Sequence, residues 1–257
     1  MNHLFALPYI TQAVLATLLT WGVTALGAAL VLFTRKTPKT AMDGMLAFGA
    51  GVMLASAFWS LLNPATEYAE AAGQPVWLVV CCGFLLGALL PEAGERLISY
   101  ARRTTDGRRC RLLVTAITLH NIPEGLAVGM AFGACIAGAG TAAGAWMLAV
   151  GVAVQNFPEG AAVSLPLRRD GYSIRQAFLY GQLSGVVEPA AGLLGVLLAA
   201  KVAQLLPFAL AFAAGAMITV AATDLIPESQ QNPRKLLMTL AVILGFVVMT
   251  ALDLALG

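Results

Sequence analysis

Long apolar runs alternate with short polar connections along the whole chain. Eight runs, at approximately 8–33, 41–62, 76–98, 112–136, 144–167, 174–200, 206–227 and 235–256, can each cross about 30 Å of hydrocarbon as a helix of roughly 20 residues. Lipid offers backbone N–H and C=O groups no partners, and alanine, leucine and glycine dominate the runs, so the pattern predicts helices. Small residues such as Gly49, Gly51, Gly83 and Gly87 predict close helix crossings. The connections are too short for a soluble domain, so residues 1–257 are expected to form a single transmembrane unit, an all-α integral membrane protein of eight helices.

The basic residues give that bundle a direction. Of the 15 Lys and Arg residues, all but Lys201 fall in or beside the odd-numbered connections: around Arg35, from Arg96 to Arg111, around Arg168 and around Arg234. The positive-inside rule places that side in the cytoplasm and both termini outside. The longest polar stretch, Ser99 to Arg111, is arginine-rich and reads as an orientation signal near anionic lipid. The outer connection around Glu67 and Glu70 reads as a solvated acidic loop.

Composition agrees with this picture. The chain is 59% hydrophobic and 11% charged, against roughly 25% charged residues in soluble domains. A net charge of +2 gives no case for a nucleic-acid partner. The partner expected from composition is the lipid bilayer, and a homodimer is compatible with it. Cys81, Cys82, Cys110 and Cys135 have no Cys-x-x-Cys spacing and read as small apolar fillers. No basic region precedes the first apolar run, so that run reads as a first membrane helix and not a cleaved signal.

One short pattern occurs twice inside this apolar background. His120-Asn121-Ile122-Pro123-Glu124-Gly125 is followed 35 residues later by Gln155-Asn156-Phe157-Pro158-Glu159-Gly160. At about 1.5 Å rise per residue, both copies lie near mid-depth of antiparallel neighbours, an inverted repeat whose interface is the expected binding site. Positions i and i+4 share a helix face, which pairs His120 with Glu124 and Gln155 with Glu159. Each proline lacks an N–H, so the carbonyls of Leu119 and Val154 lose their helical partners, and the helices are expected to bend there. Polar backbone at that depth is tolerated where it lines a cavity.

A third carboxylate, Glu188, lies midway along the sixth run, beside Pro189. An isolated charge at that depth costs several kcal/mol or neutralises. One or two divalent cations would offset three carboxylates. Imidazole suits zinc and iron(II), and carboxylate and amide oxygens suit harder ions as well. One copy alone could be a kink with a satisfied core histidine, and Glu188 alone a packed carboxyl; two copies at matched depth and opposite orientation argue for a site. Met53, mid-depth on the second run, is either a core residue or a soft ligand. Asp224, near the cytoplasmic end of the seventh run, is either an exit ligand or an interfacial cap. Asp43, Glu92, Glu95 and Asp253, near the ends of their runs, are expected to be interfacial. The sequence has no His-Glu-x-x-His and only two histidines, which argues against an intramembrane metalloprotease; no enzyme and no cofactor is expected.

On these residues the chain resembles the ZIP (Zrt/Irt-like) family of divalent metal transporters, most of all its bacterial GufA-like branch. The paired Asn-x-Pro-Glu-Gly motifs, the stretch Gly49-Ala50-Gly51-Val52-Met53-Leu54-Ala55-Ser56 and Val187-Glu188-Pro189 carry the resemblance, which extends over nearly the whole chain. It implies a bundle whose first three and last three helices are related by inversion around the fourth and fifth. It further implies a two-metal centre: His120, Glu124, Gln155 and Glu159 beside Met53 at one site, and Asn121, Asn156 and Glu188 at the other, with Glu124 and Glu159 bridging. Its implied cargo is zinc first, with iron, manganese, cobalt and cadmium as further substrates. The cargo moves into the cytoplasm of a bacterium through its inner membrane, by an elevator-like movement; a metal-selective channel using the same ligands is the alternative. Gln155 stands where many relatives carry histidine, Asn156 where some carry aspartate, and Thr223-Asp224 where the family often has His-Glu. The cytoplasmic connection after the third run lacks the histidines of many relatives.

Overall fold

The computed structural model describes residues 6–33, 38–101, 108–138, 140–169, 171–201 and 203–256, with side chains at 94–95, 97–120, 169, 200–201, 203 and 256 outside the description. The described residues are helical almost throughout, and each expected segment holds helix. The helices are α1 (Tyr9–Ala28), α2 (Leu30–Phe33), α3 (Lys39–Ser56), α4 (Asn63–Ala71), α5 (Val76–Ala101), α6 (Arg108–Ile136), α7 (Ala142–Arg169), α8 (Ile174–Ser184), α9 (Val187–Lys201), α10 (Leu206–Val220), α11 (Ile226–Ser229) and α12 (Lys235–Leu256). A π-helical turn at Ala57–Leu62 joins α3 to α4, and another at Ala221–Leu225 joins α10 to α11. In both cases a proline, Pro64 or Pro227, stands in the first turn that follows.

Among the described residues, six continuous stretches are long and apolar enough to cross a membrane: Tyr9–Phe33, Lys39–Ala71, Val76–Ala93, Ile174–Ala199, Leu206–Ser229 and Lys235–Ala255. α6 contributes a shorter apolar helix over its described side chains, Asn121–Ile136. α7 is 28 residues long, but Gln155, Asn156, Pro158 and Glu159 interrupt its apolar character. The outer acidic connection proves to be helical: Glu67 and Glu70 are exposed on α4. Residues 102–107 of the arginine-rich connection lie outside the described residues.

Local chemistry accounts for several boundaries. Ser173 caps α8: its hydroxyl accepts from Gln176 N at 3.2 Å, and Gln176 Oε1 accepts from Ser173 N at 3.0 Å, a reciprocal box that satisfies two orphan amides. Beyond α6 and α7 the chain turns at Gly138 (φ +73°) and Gly171 (φ +97°), left-handed backbone that glycine adopts without steric cost.

Four helix pairings dominate the packing: α6 on α9, α1 on α7, α5 on α10 and α3 on α12. They assemble into two groups. In the first, α1, α6, α7 and α8–α9 all pack on one another; in the second, α10 packs on the α3–α4 unit and on α5, and α3 on α12. Across the boundary, α3 meets α7 and α10 meets α6, less extensively. A large apolar cluster, with Ala127, Val128 and Phe132 of α6, Leu148 and Val152 of α7 and Leu210 and Met217 of α10, fills one side. A smaller cluster of Val31, Val163, Leu167 and Ala177 closes the other. α5 and α12 show apolar faces outward, with Leu85, Leu86, Leu89, Leu240 and Leu244 more than half exposed, as suits lipid contact.

Candidate metal centre

Between the two apolar clusters lies a buried polar layer. Asn121, Glu124, Gln155, Asn156 and Glu188 are fully buried, and Glu159 is 4% exposed. α6 and α7 supply the paired motifs and run without interruption through Pro123 and Pro158. The break falls instead between α8 and α9, beside Glu188. Pro189 has no N–H to give Gly185 O, so Glu188 N bonds that carbonyl at 3.0 Å, three residues back where an α-helix reaches four. Ser184 O is thereby released, and Asn121 Nδ2 donates to it at 2.9 Å.

The second copy repeats this contact on another helix. Asn156 Nδ2 donates to Thr20 O of α1 at 3.4 Å and to Glu188 Oε2 at 3.0 Å. Gln155 Nε2 donates to Glu124 Oε1, and Thr24 Oγ1 faces Glu188 Oε1 at 3.4 Å. Because the asparagine NH2 groups face acceptors, their oxygens point elsewhere. Asn121 Oδ1, Glu124 Oε2, Gln155 Oε1 and Asn156 Oδ1 are buried without a hydrogen-bond donor. Such atoms carry a desolvation cost of about 1–3 kcal/mol each, and a cation is the group that would relieve all four at once.

The glycine after each glutamate admits a neighbouring helix. A Cβ on Gly125 would come within 2.8 Å of Glu188 Cα, and one on Gly160 would strike the Thr24 carbonyl. Among the described residues no three His, Cys, Asp or Glu side chains are arranged to hold a metal ion; the polar layer interleaves carboxylates with amides. His120 lies on α6, but its side chain is outside the described residues.

The other expected positions separate from this layer. Met53 is buried in the large apolar cluster with Ala127, Val128 and Val152. Asp224 is half-buried in the second π turn, which packs on α3, α10 and α11. Asp43 is buried, not interfacial, and accepts from Asn232 Nδ2 at 2.7 Å. Sequence reasoning missed Thr20 and Thr24. Their signal was the spacing of Thr17, Thr20 and Thr24, which puts three hydroxyls on one helix face.

Helices of membrane-crossing length around a buried carboxylate and amide layer define a polytopic integral membrane protein with an internal polar site. Comparison with known proteins narrows the class. Residues 107–253 match the family model described as ZIP Zinc transporter. Zinc transporter ZIP11 of Xenopus tropicalis is 40% identical over 96% of this chain and 98% of its own length. Zinc transporter GufA of Myxococcus xanthus is 35% identical over 94% of this chain and 98% of its own. Zinc transporter ZIPB of Bordetella bronchiseptica is 35% identical over 97% and 82% respectively. The chain belongs to the ZIP family, in its GufA-like branch.

Proposed function

We propose that this protein carries divalent metal ions, zinc first among them, across the bacterial inner membrane into the cytoplasm, and that the buried polar layer is where the ion binds. The observation that carries this reading is the set of four buried oxygens without donors, on Asn121, Glu124, Gln155 and Asn156. Neither Glu124 nor Glu188 forms a salt bridge with a described Lys or Arg. A divalent ion supplies the missing positive charge. Glu124, Gln155 and Glu159, with His120 from the same face of α6, form one site; Asn121, Asn156 and Glu188 form its neighbour, and Glu124 and Glu159 bridge the two. The zinc transporters named above support zinc as the cargo.

The proposed topology has eight crossings, with α6 and α7 completing the six apolar spans and both termini outside. Its 3+2+3 inverted repeat is supported by the packing. Exchanging the α1 span with α8–α9, α3–α4 with α10–α11, α5 with α12, and α6 with α7 turns each dominant helix pairing into another. The same exchange maps one π turn onto the other. The two groups support an elevator-type movement. The seven proposed ligands on α6, α7 and α9 all belong to one group, and Met53 and Asp224 belong to the other. The ion then travels with the first group past a wall that presents Met53 at mid-depth and Asp224 towards the cytoplasm.

Uptake into proteoliposomes tests the reading. Removing an outer-shell partner of a metal ligand costs about 10- to 100-fold, so Glu124→Ala and Glu159→Ala, which remove ligands, should lose at least that in zinc uptake. Folded mutants with full uptake would sink it, and ohmic, non-saturating currents would replace the carrier with a channel.

A further inference from the structure

Thr17, Thr20 and Thr24 of α1 are fully buried on the face that meets α9. A Cβ on Gly192 would contact the Thr17 methyl at 2.5 Å, and one on Gly185 would lie 3.0 Å from Thr24 Oγ1. Two parallel contact sets emerge. Asn121 donates to Ser184 O, and Gly125 abuts Glu188, four residues further along. Asn156 donates to Thr20 O, and Gly160 abuts Thr24, again four residues further along. Thr24 therefore holds on α1 the place that Glu188 holds on α9, and the two side chains meet, Thr24 Oγ1 on Glu188 Oε1.

We propose that Thr24 is a selectivity-determining residue of the ion site, the uncharged repeat-mate of Glu188; this rests on the transport reading above. Glu188 faces neutral donors: Asn156 Nδ2 on Oε2 at 3.0 Å and Thr24 Oγ1 on Oε1 at 3.4 Å. The Thr24 hydroxyl lies between Thr20 O, at 3.2 Å, and Glu188 Oε1, and whichever of them takes its one proton, its lone pairs stay for a cation. That adds a neutral oxygen where perfect symmetry would place a fourth carboxylate. Neutral oxygen favours the harder divalent ions, whereas nitrogen favours zinc. Thr24 thus lets manganese compete at the Glu188 side while keeping the negative charge low enough for release.

The test is competitive uptake of Mn2+ and Zn2+ by proteoliposomes holding wild type, Thr24→Val and Thr24→Ser. Valine matches the shape and deletes the hydroxyl; the expected result is a Mn2+/Zn2+ uptake ratio about 10-fold lower, with serine restoring the wild-type ratio. A purely structural threonine would lower both uptakes together. An unchanged ratio in Thr24→Val, or a serine variant that fails to restore it, overturns the proposal. Should Thr24→Val fail to fold, Thr24→Ala carries the same comparison. A wild type that takes up neither ion refutes the transport reading itself, an outcome distinct from an active wild type with an indifferent Thr24.

Discussion

Gly125 and Gly160 sit where one methyl group would meet the backbone of a neighbouring helix, and Gly22 on α1 has nothing within 4 Å of the same position. Overpacking typically costs about 1–3 kcal/mol, and a backbone atom cannot swing aside as a side-chain tip can. Gly125→Ala and Gly160→Ala should therefore lower the melting temperature in detergent by roughly 2–4 °C for each kcal/mol lost. Gly22→Ala should leave it unchanged or raise it, because alanine favours helix by about 0.5–1 kcal/mol; equal melting of all three would remove the close-packing argument. The paired glutamates, amides and glycines were legible in the sequence because polar groups stand out against an apolar run. Which end of the Asn121 or Asn156 amide, oxygen or NH2, faces inward was not, since it depends on Ser184 O and Thr20 O, more than 60 residues away in sequence. Asp43 was misread for the same reason: its partner Asn232 comes from the far end of the chain.

The break between α8 and α9 is the element on which the centre turns. Pro189 has a place in the sequence, but its effect falls on the carbonyl of Ser184, which becomes the anchor for Asn121. Replacing it with alanine returns an N–H to Gly185 O and allows Glu188 N to reach back to Ser184 O. Pro189→Ala should stabilise the protein by about 0.5–1.5 kcal/mol, one recovered hydrogen bond, and should lose zinc uptake as Asn121 is displaced. Amide exchange at residues 183–187 reads the change directly, and unchanged exchange with unchanged uptake would show the break to be incidental. Helix continues through Pro123 and Pro158, whereas the ladder is interrupted beside Pro189. Tertiary contacts of α9 on α6 and of α1 on α7 decide how a proline is absorbed, and these leave no local signal.

At the scale of the molecule, the boundary between the two groups is where α3 meets α7. Ser56 Oγ lies 2.8 Å from the place of a Cβ on Gly151, within reach of a disulfide. In a background freed of the four native cysteines, Ser56→Cys with Gly151→Cys should cross-link on oxidation and stop zinc uptake, and reductant should restore it. Full uptake by the cross-linked protein would show that the groups do not slide at this contact. Helix was legible from hydropathy, because each apolar run must be buried in lipid or protein whatever its neighbours, but the second run's helix continues past its apolar residues to Ala71. The division into two groups was not, because hydropathy does not say which runs pack on which.

The π turns at Ala57–Leu62 and Ala221–Leu225 give the second group a mechanical property of its own. A π turn holds one residue more than an α turn, so each span stores a one-residue slip in its winding. Shifting that slip along the helix would turn the residues it passes by about 100° about the axis while the chain stays helical. Tyr68 and Glu67 beyond one slip, and Asp224 within the other, could then be re-aimed as a key is turned in a lock, with no change in the length of either span.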